Sequence, residues 1–175
     1  MVVWLTGLSG AGKTTVSEAL GRLVKPRLPE LVLVDGDAMR DLFGGDLGYA
    51  EADRVVQIGR LQRMARYLDG QGQLPVVAAL YSHPDLLAWN RANLPGYFEV
   101  LIDASVELVS ARDPKGLYRK AATSERPSVV GIDIRWHRPV SPDLVIDPRD
   151  GSSAEDAARR IALALPRLAE ALEVA

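Results

Sequence analysis

The sequence predicts an α/β fold, a parallel sheet with helices on both faces, and three observations carry that expectation. Short apolar runs rich in β-branched residues recur along the chain, longer helical segments separate them, and a glycine-rich turn joins the first run to the first helix. The strands are expected at Val2–Thr6, Leu31–Asp35, Val76–Leu80, Phe98–Ile102 and Leu144–Ile146, each apolar and bounded by Gly, Pro or Asp. Helices are expected at Lys13–Val24, Glu51–Gly70, Asp85–Asn93 and Val106–Arg112, with a terminal helix from about Ala154 to Val174. In the second of these, Ile58, Leu61, Ala65 and Leu68 form one apolar stripe, and Arg54 and Gln57 share another face. Ser153 and Asp156, three residues apart, form a capping box that starts the terminal helix. The stretch Asp113–Pro142 breaks the pattern. It is rich in Lys, Arg, Pro and Gly, and a segment of that length between two strands reads as a functional lid over about residues 113–138.

Length and composition set the limits. The chain has 175 residues, 47% apolar and 25% charged, which suits one ordered domain with a full core. A formal net charge of −2 leaves no basic surface for nucleic acid or anionic membrane. Among its 21 basic residues only Lys13, Lys25, Lys115 and Lys120 are lysines. The absence of cysteine excludes disulfides, thiol catalysis and thiolate metal sites. Met1 leads into Val2-Val3-Trp4-Leu5 without a basic region or cleavage site, and no apolar run has the ~20 residues of a membrane span. A cytoplasmic protein is the expectation.

The glycine-rich turn carries the chemistry. Gly7-Leu8-Ser9-Gly10-Ala11-Gly12-Lys13-Thr14 matches G-x-x-x-x-G-K-[ST] at every fixed position, with a strand before it and a helix after it. The glycines let successive backbone N–H groups turn inward as a nest for phosphate oxygens, and the helix adds the partial positive charge of its N-terminus. Lys13 would reach the β- and γ-phosphates of ATP, and the Thr14 hydroxyl would ligate Mg²⁺. The fold expectation thereby sharpens to a single P-loop NTPase-type domain. Motors, GTPases and kinases share this loop, so it predicts nucleotide binding more firmly than any one reaction.

Asp35-Gly36-Asp37 closes the second strand, at the sheet end where ligands gather. Phosphoryl transfer to a hydroxyl needs a carboxylate that orients the nucleophile and takes its proton. Asp37 is the candidate, with Asp35 placed to hold metal-bound water or the loop. Arg40, about one helical turn on, would clamp an anionic group of the acceptor.

Further runs carry a family resemblance. The opening Trp4–Thr15, then Asp35-Gly36-Asp37-Ala38-Met39-Arg40, Asp46-Leu47-Gly48-Tyr49 and Ala52-Asp53-Arg54 resemble the adenylyl-sulfate (APS) kinases. So do Arg112-Asp113-Pro114-Lys115-Gly116-Leu117-Tyr118, Gly131-Ile132-Asp133 and Pro142–Ile146, in the same order over nearly the whole chain. The resemblance implies a Mg·ATP-dependent enzyme, usually a homodimer, that phosphorylates the ribose 3′-hydroxyl of a nucleotide. It implies catalytic roles for Asp37, Lys13 and Lys115, the last neutralising phosphate charge from the lid. ATP would lie on Gly7, Ser9, Gly10, Ala11, Gly12, Lys13, Thr14, Thr15 and Arg112, with Thr14 and Asp35 on the metal. The acceptor would meet Asp37, Arg40, Tyr49, Arg54, Gln57, Tyr81, Ser82, Lys115, Val130, Gly131 and Ile132.

The departures from that family fall on the acceptor side. Tyr49 stands where a Phe is usual on one side of an adenine clamp, and Val129-Val130-Gly131-Ile132 replaces the Phe-Thr-Gly-Ile run that supplies the other ring. Stacking of that kind is worth about 1–3 kcal/mol per base. Gln57 replaces an Asn, and Leu80-Tyr81-Ser82-His83-Pro84 replaces Ile-Ser-Pro. Ala88-Trp89-Asn90-Arg91 and Tyr97-Phe98-Glu99-Val100 look like short family members linked to polysaccharide synthesis, some of which act on cytidine diphosphoramidate. The expected reaction is transfer of the ATP γ-phosphoryl to the 3′-hydroxyl of a 5′-modified nucleotide, adenylyl sulfate first and cytidine diphosphoramidate as the alternative. A kinase of a sugar or an antibiotic, and a non-catalytic nucleotide-binding module, are the other classes.

Other residues read as structural. His83 and His137, far apart in sequence, do not signal a metal site; Ser82 is not needed as a phosphorylated intermediate; Trp4 reads as core. Arg60, Arg63 and Arg66 read as a solvated helix face, with a dimer contact second.

Overall fold

The structure, a computed structural model, describes residues 1–113, 116–122 and 128–173. Five parallel strands, β1 (Val2–Thr6), β2 (Leu31–Asp35), β3 (Leu74–Ala79), β4 (Tyr97–Ile102) and β5 (Leu144–Ile146), form one sheet in the order β2-β3-β1-β4-β5. The central strands β1 and β3 are buried throughout, which is why they read as unbroken apolar runs. Each fully buried Leu or Val there contributes about 1.5–3 kcal/mol.

Eight helices among the described residues connect and cover the strands: α1 (Lys13–Val24), α2 (Gly36–Leu42), α3 (Glu51–Gly70), α4 (Pro84–Asn93), α5 (Val106–Arg112), α6 (Leu117–Ala122), α7 (Ala154–Leu163) and α8 (Pro166–Glu173). One layer is α1 packed on α7 and α8, and another is α3 packed on α4. Trp4 is core, 1% exposed, with its ring tilted against Tyr97.

The elements differ from expectation in several places, one of them the helix α2, which the expected elements did not include. The terminal helix is two helices, because Pro166 has no N–H to continue the α7 ladder and begins α8 instead. β3 starts at Leu74 rather than Val76. Pro75 sits beside Val32 of β2 but before the ladder to β1 begins at Val76, so its missing N–H costs no bond to β1. The stretch expected as an irregular lid contains α6, which Asp113 caps through Oδ1 to the Tyr118 N–H and Oδ2 to the Arg119 N–H, both at 3.1 Å. Lys115 lies outside the described residues, as do 123–127 of that stretch. The Ser153–Asp156 capping box is present as expected.

Candidate active site

The carboxyl ends of β1, β2 and β3 open onto a cleft of about 330 Å³. A second hollow, of about 640 Å³, beside Glu18, Arg22, Lys25, Pro29 and Leu33 shares no lining residue with the glycine-rich loop, and its lining brings no reactive constellation together.

The loop after β1 forms the floor of the cleft. Gly7, at φ 152°, is forced by a close approach, since a Cβ there would lie 2.6 Å from the Ile102 carbonyl oxygen. Gly12, at φ 106°, is the N-cap of α1. Gly7 and Ala11 are buried supports, while Ser9, Gly10, Gly12, Lys13, Thr14 and Thr15 line the cleft. The Lys13 ammonium donates to the carbonyls of Gly7 at 2.7 Å and Leu8 at 2.8 Å.

Asp35 joins this loop to the acidic strand end. Its Oδ2 accepts from the Thr14 hydroxyl at 2.6 Å, and its Oδ1 accepts from the N–H groups of Asp37 at 2.9 Å and Ala38 at 3.1 Å as the N-cap of α2. One carboxylate therefore fixes both Thr14 and the helix start that carries Asp37. Asp37 itself is exposed on the cleft wall.

The same cleft also holds a cationic and aromatic group. Arg40 is 8% exposed and donates through Nη1 to the carbonyls of Leu47 at 3.2 Å and Gly48 at 2.7 Å. Arg54 donates to the Tyr49 carbonyl at 2.9 Å and the Ser128 carbonyl at 2.7 Å. Both guanidinium groups lie over the Tyr49 ring, at 4.9 and 5.8 Å from its centre. Burial lowers the Arg54 pKa, and the neighbouring Arg40 cation lowers it further; Tyr49, Asp37 and Tyr81 oppose them. Two adjacent cations in a cleft are matched to an anionic ligand group.

The expected stripe on α3 is revised here. Arg54 and Gln57 both line the cleft, as the face they share would have it, but Ile58 and Leu61 of the apolar stripe line it too, and Gln57 is buried at 4% exposure. Its Nε2 donates to the Gly36 carbonyl at 3.1 Å, and its Oε1 has no hydrogen-bond partner among the described residues. Tyr81 lines the cleft, and its hydroxyl donates to the Glu51 carboxylate. Burial raises the Tyr81 pKa, with Glu51 adding to it, so the phenol stays a donor.

Several expected residues lie elsewhere. Ser82 is buried at 1% exposure and donates to the His137 carbonyl at 2.6 Å, away from the cleft lining. Val130 is buried and bridges to Ile134, Gly131 packs on Leu8 and Val106, and Ile132 is half exposed; none of the three lines the cleft. Arg112 is exposed, with Nη2 near the Pro148 carbonyl at 3.4 Å, and is not brought to the loop. His83 and His137, distant in sequence, meet with ring centres 4.9 Å apart, and burial followed by the His83 charge lowers the His137 pKa. No group of three or more metal-ligating side chains forms among the described residues. Arg60 pairs with Asp46 through both oxygens at 2.7 and 2.5 Å, so it belongs to a surface ion pair. Sequence reasoning missed Leu117 and Ser128 as cleft residues. Leu117 lies inside the Arg112–Tyr118 run, which was the available signal; nothing in sequence marked Ser128.

A family profile described as adenylylsulphate kinase matches residues 1–147. The chain belongs to the adenylylsulphate kinase family. It is 33% identical over 168 residues to the cytidine diphosphoramidate kinase of Campylobacter jejuni, with 96% of each chain covered. It is 39% identical over 143 residues to an adenylyl-sulfate kinase of Deinococcus deserti, covering 82% of this chain and 79% of that one. The structure of the Mycobacterium tuberculosis APS kinase in complex with AMPPNP and APS superposes with a TM-score of 0.85 at 34% identity, over 97% of this chain and 96% of that chain. The protein is thus a kinase, an ATP-dependent phosphotransferase, with the parallel α/β fold of that family. No helix among its described residues is long and apolar enough to cross a membrane.

Proposed function

We propose that the cleft binds Mg·ATP on the Gly7–Thr15 loop and transfers the γ-phosphoryl to the ribose 3′-hydroxyl of a 5′-modified nucleotide, with adenylyl sulfate as the first acceptor. The observation that supports this reading is that Lys13, Thr14, Asp35 and Asp37 line one cleft together with the Arg40–Arg54 pair. Asp37 orients the acceptor hydroxyl and takes its proton, and Lys13 neutralises phosphoryl charge. Arg40 and Arg54 hold the anionic 5′ group, and Tyr49 offers its ring to the base. The Thr14 hydroxyl and Asp35 carboxylate are hard oxygen ligands of the kind Mg²⁺ takes, and they would hold it beside the phosphates, where the ion supplies charge neutralisation. Lys115, within the lid expected around residues 113–138, lies outside the described residues, so its phosphate role rests on the family resemblance. The same reading includes one catalytic domain over residues 1–175, a homodimer and a cytoplasmic site of action. The dimer is supported by exposed Leu42, Val56 and Tyr67 along α2 and α3, and native mass measurement tests it.

A second acceptor, cytidine diphosphoramidate, is favoured by a specific observation. Val129, which stands where the clamping Phe is usual, is buried and does not line the cleft, so the aromatic rings lining it among the described residues are Tyr49 and Tyr81. Full-length similarity to the Campylobacter jejuni kinase points the same way. Turnover of Mg·ATP with adenylyl sulfate, cytidine diphosphoramidate, their parent nucleotides and several sugars, read by product mass, decides. Adenylyl sulfate as the preferred acceptor supports the first reading, and activity confined to a cytidine nucleotide supports the second. Phosphorylation of sugars alone would remove both.

A further inference from the structure

We propose that Tyr118 is a positioning residue for the phosphate loop, its phenol fixing the Ser9–Gly10 peptide so that the seating of α6 and the shape of the phosphate cradle are coupled. The inference rests on the phosphate-loop reading given above.

Tyr118 belongs to α6, yet its hydroxyl donates to the carbonyl of Ser9 at 2.9 Å, across 109 residues of sequence. The side chain is 4% exposed and packed in the core, so the phenol has little freedom to point elsewhere. Its backbone is held as firmly: Asp113 receives the Tyr118 and Arg119 N–H groups, and the Asp113 carbonyl receives the Gly116 N–H at 3.0 Å. The contact thus connects the end of α5, through α6, to the loop between β1 and α1.

The consequence follows from peptide geometry. In a planar trans peptide the C=O and the following N–H point in opposite directions. A Ser9 carbonyl directed at Tyr118 sends the Gly10 N–H the other way. Gly10, at φ 77°, lines the cleft, and a phosphate nest needs N–H groups facing in and carbonyl oxygens facing out. Glycine-rich loops have little intrinsic preference between peptide orientations, so an external donor on the Ser9 carbonyl disfavours the flipped form that would present oxygen to phosphate. Burial pushes the Tyr118 phenol up to about 12, with Asp113 adding to the shift, so it remains a donor at every working pH. Leu117, the preceding residue, lines the same cleft, so α6 and the loop face one ligand together.

The test is Tyr118→Phe in the full chain, which keeps the ring and removes only the donor. Expected are a dissociation constant for Mg·AMP-PNP, and for inorganic tripolyphosphate, raised about 3- to 10-fold, the size of one hydrogen bond. The KM for ATP should rise with it, while the KM for the acceptor and the apo Tm stay near wild type. Unchanged affinity for both phosphate ligands would overturn the inference alone. So would an equal loss for ATP and acceptor accompanied by a lowered Tm, because that is the signature of a merely structural phenol. A wild-type chain that binds neither phosphate ligand overturns the phosphate-loop reading, and the role of Tyr118 with it.

Discussion

Asp35 shows how one side chain divides its two oxygens between two tasks. One accepts from the Thr14 hydroxyl, and the other caps the helix that begins with Gly36 and Asp37. The tasks separate by mutation. Asp35→Ala removes both and should destabilise the fold by about 1 kcal/mol as a lost N-cap, lowering Tm by roughly 2–4 °C in a chain of this size. Asp35→Asn keeps a capping oxygen, so its Tm should stay near wild type while the Mg²⁺ dependence of turnover weakens. Equal thermal losses in both variants would contradict the capping role. The residues of the phosphate loop were legible because they are contiguous and their spacing is dictated by the phosphate chain. Gln57 was legible as a departure from the family, but not as a buried amide with an unpartnered oxygen, because burial depends on how α3 rotates against the sheet. The His83–His137 pair was illegible for the same kind of reason: α4 and the segment after α6 meet only in three dimensions.

Elements were legible where one physical rule dominates. Strands buried on both faces announce themselves as apolar runs, and the Ser153–Asp156 box marks the start of α7. Boundaries failed where proline acts in two ways, ending α7 before Pro166 yet being tolerated at the start of β3. The short helices α2 and α6 each rest on an aspartate cap, Asp35 and Asp113, more than on hydrophobic period, so periodicity gave no sign of α6. α4 is tied to the sheet by a polar chain: Gln62 to Asn90, Asn90 to Tyr97, and Tyr97 and Arg91 to Glu99, which is 2% exposed. Burial raises the Glu99 pKa above its ordinary 4.5, Asp143 adds to that, and Tyr97 and Arg91 oppose it. A raised folded-state pKa means that the folded form binds more protons between the unfolded and folded values, so stability from this group is full below about 4.5 and is lost as pH rises through the folded pKa. Glu99→Gln should remove that decline. Its Tm relative to wild type is expected to become more favourable as pH rises from 4 to 7, and parallel Tm profiles for the two proteins would contradict the assignment.

At the scale of the whole molecule, three parallel strands end at one edge and deliver the phosphate loop, the Asp35–Asp37 turn and Tyr81 to one cleft. That convergence is why the fold and the phosphate side were readable from sequence, since each part sits directly after a recognisable strand. The acceptor side was less readable, because loops and helices of different origin build it. Arg40, Tyr49 and Arg54 reach the cleft, Ser128 joins them unannounced, and Val130–Ile132 fold away from it. Family membership settles that the chain is a kinase, and the proposal that this cleft performs the transfer stands or falls with Asp37. The most direct test is to measure Mg·AMP-PNP affinity and single-turnover rate side by side in wild type and Asp37→Asn. Loss of a general base predicts nucleotide affinity within about 2-fold of wild type and a transfer rate lower by about 10²–10⁴. A variant that loses nucleotide affinity yet transfers at the normal rate once bound would contradict the account and place the base elsewhere.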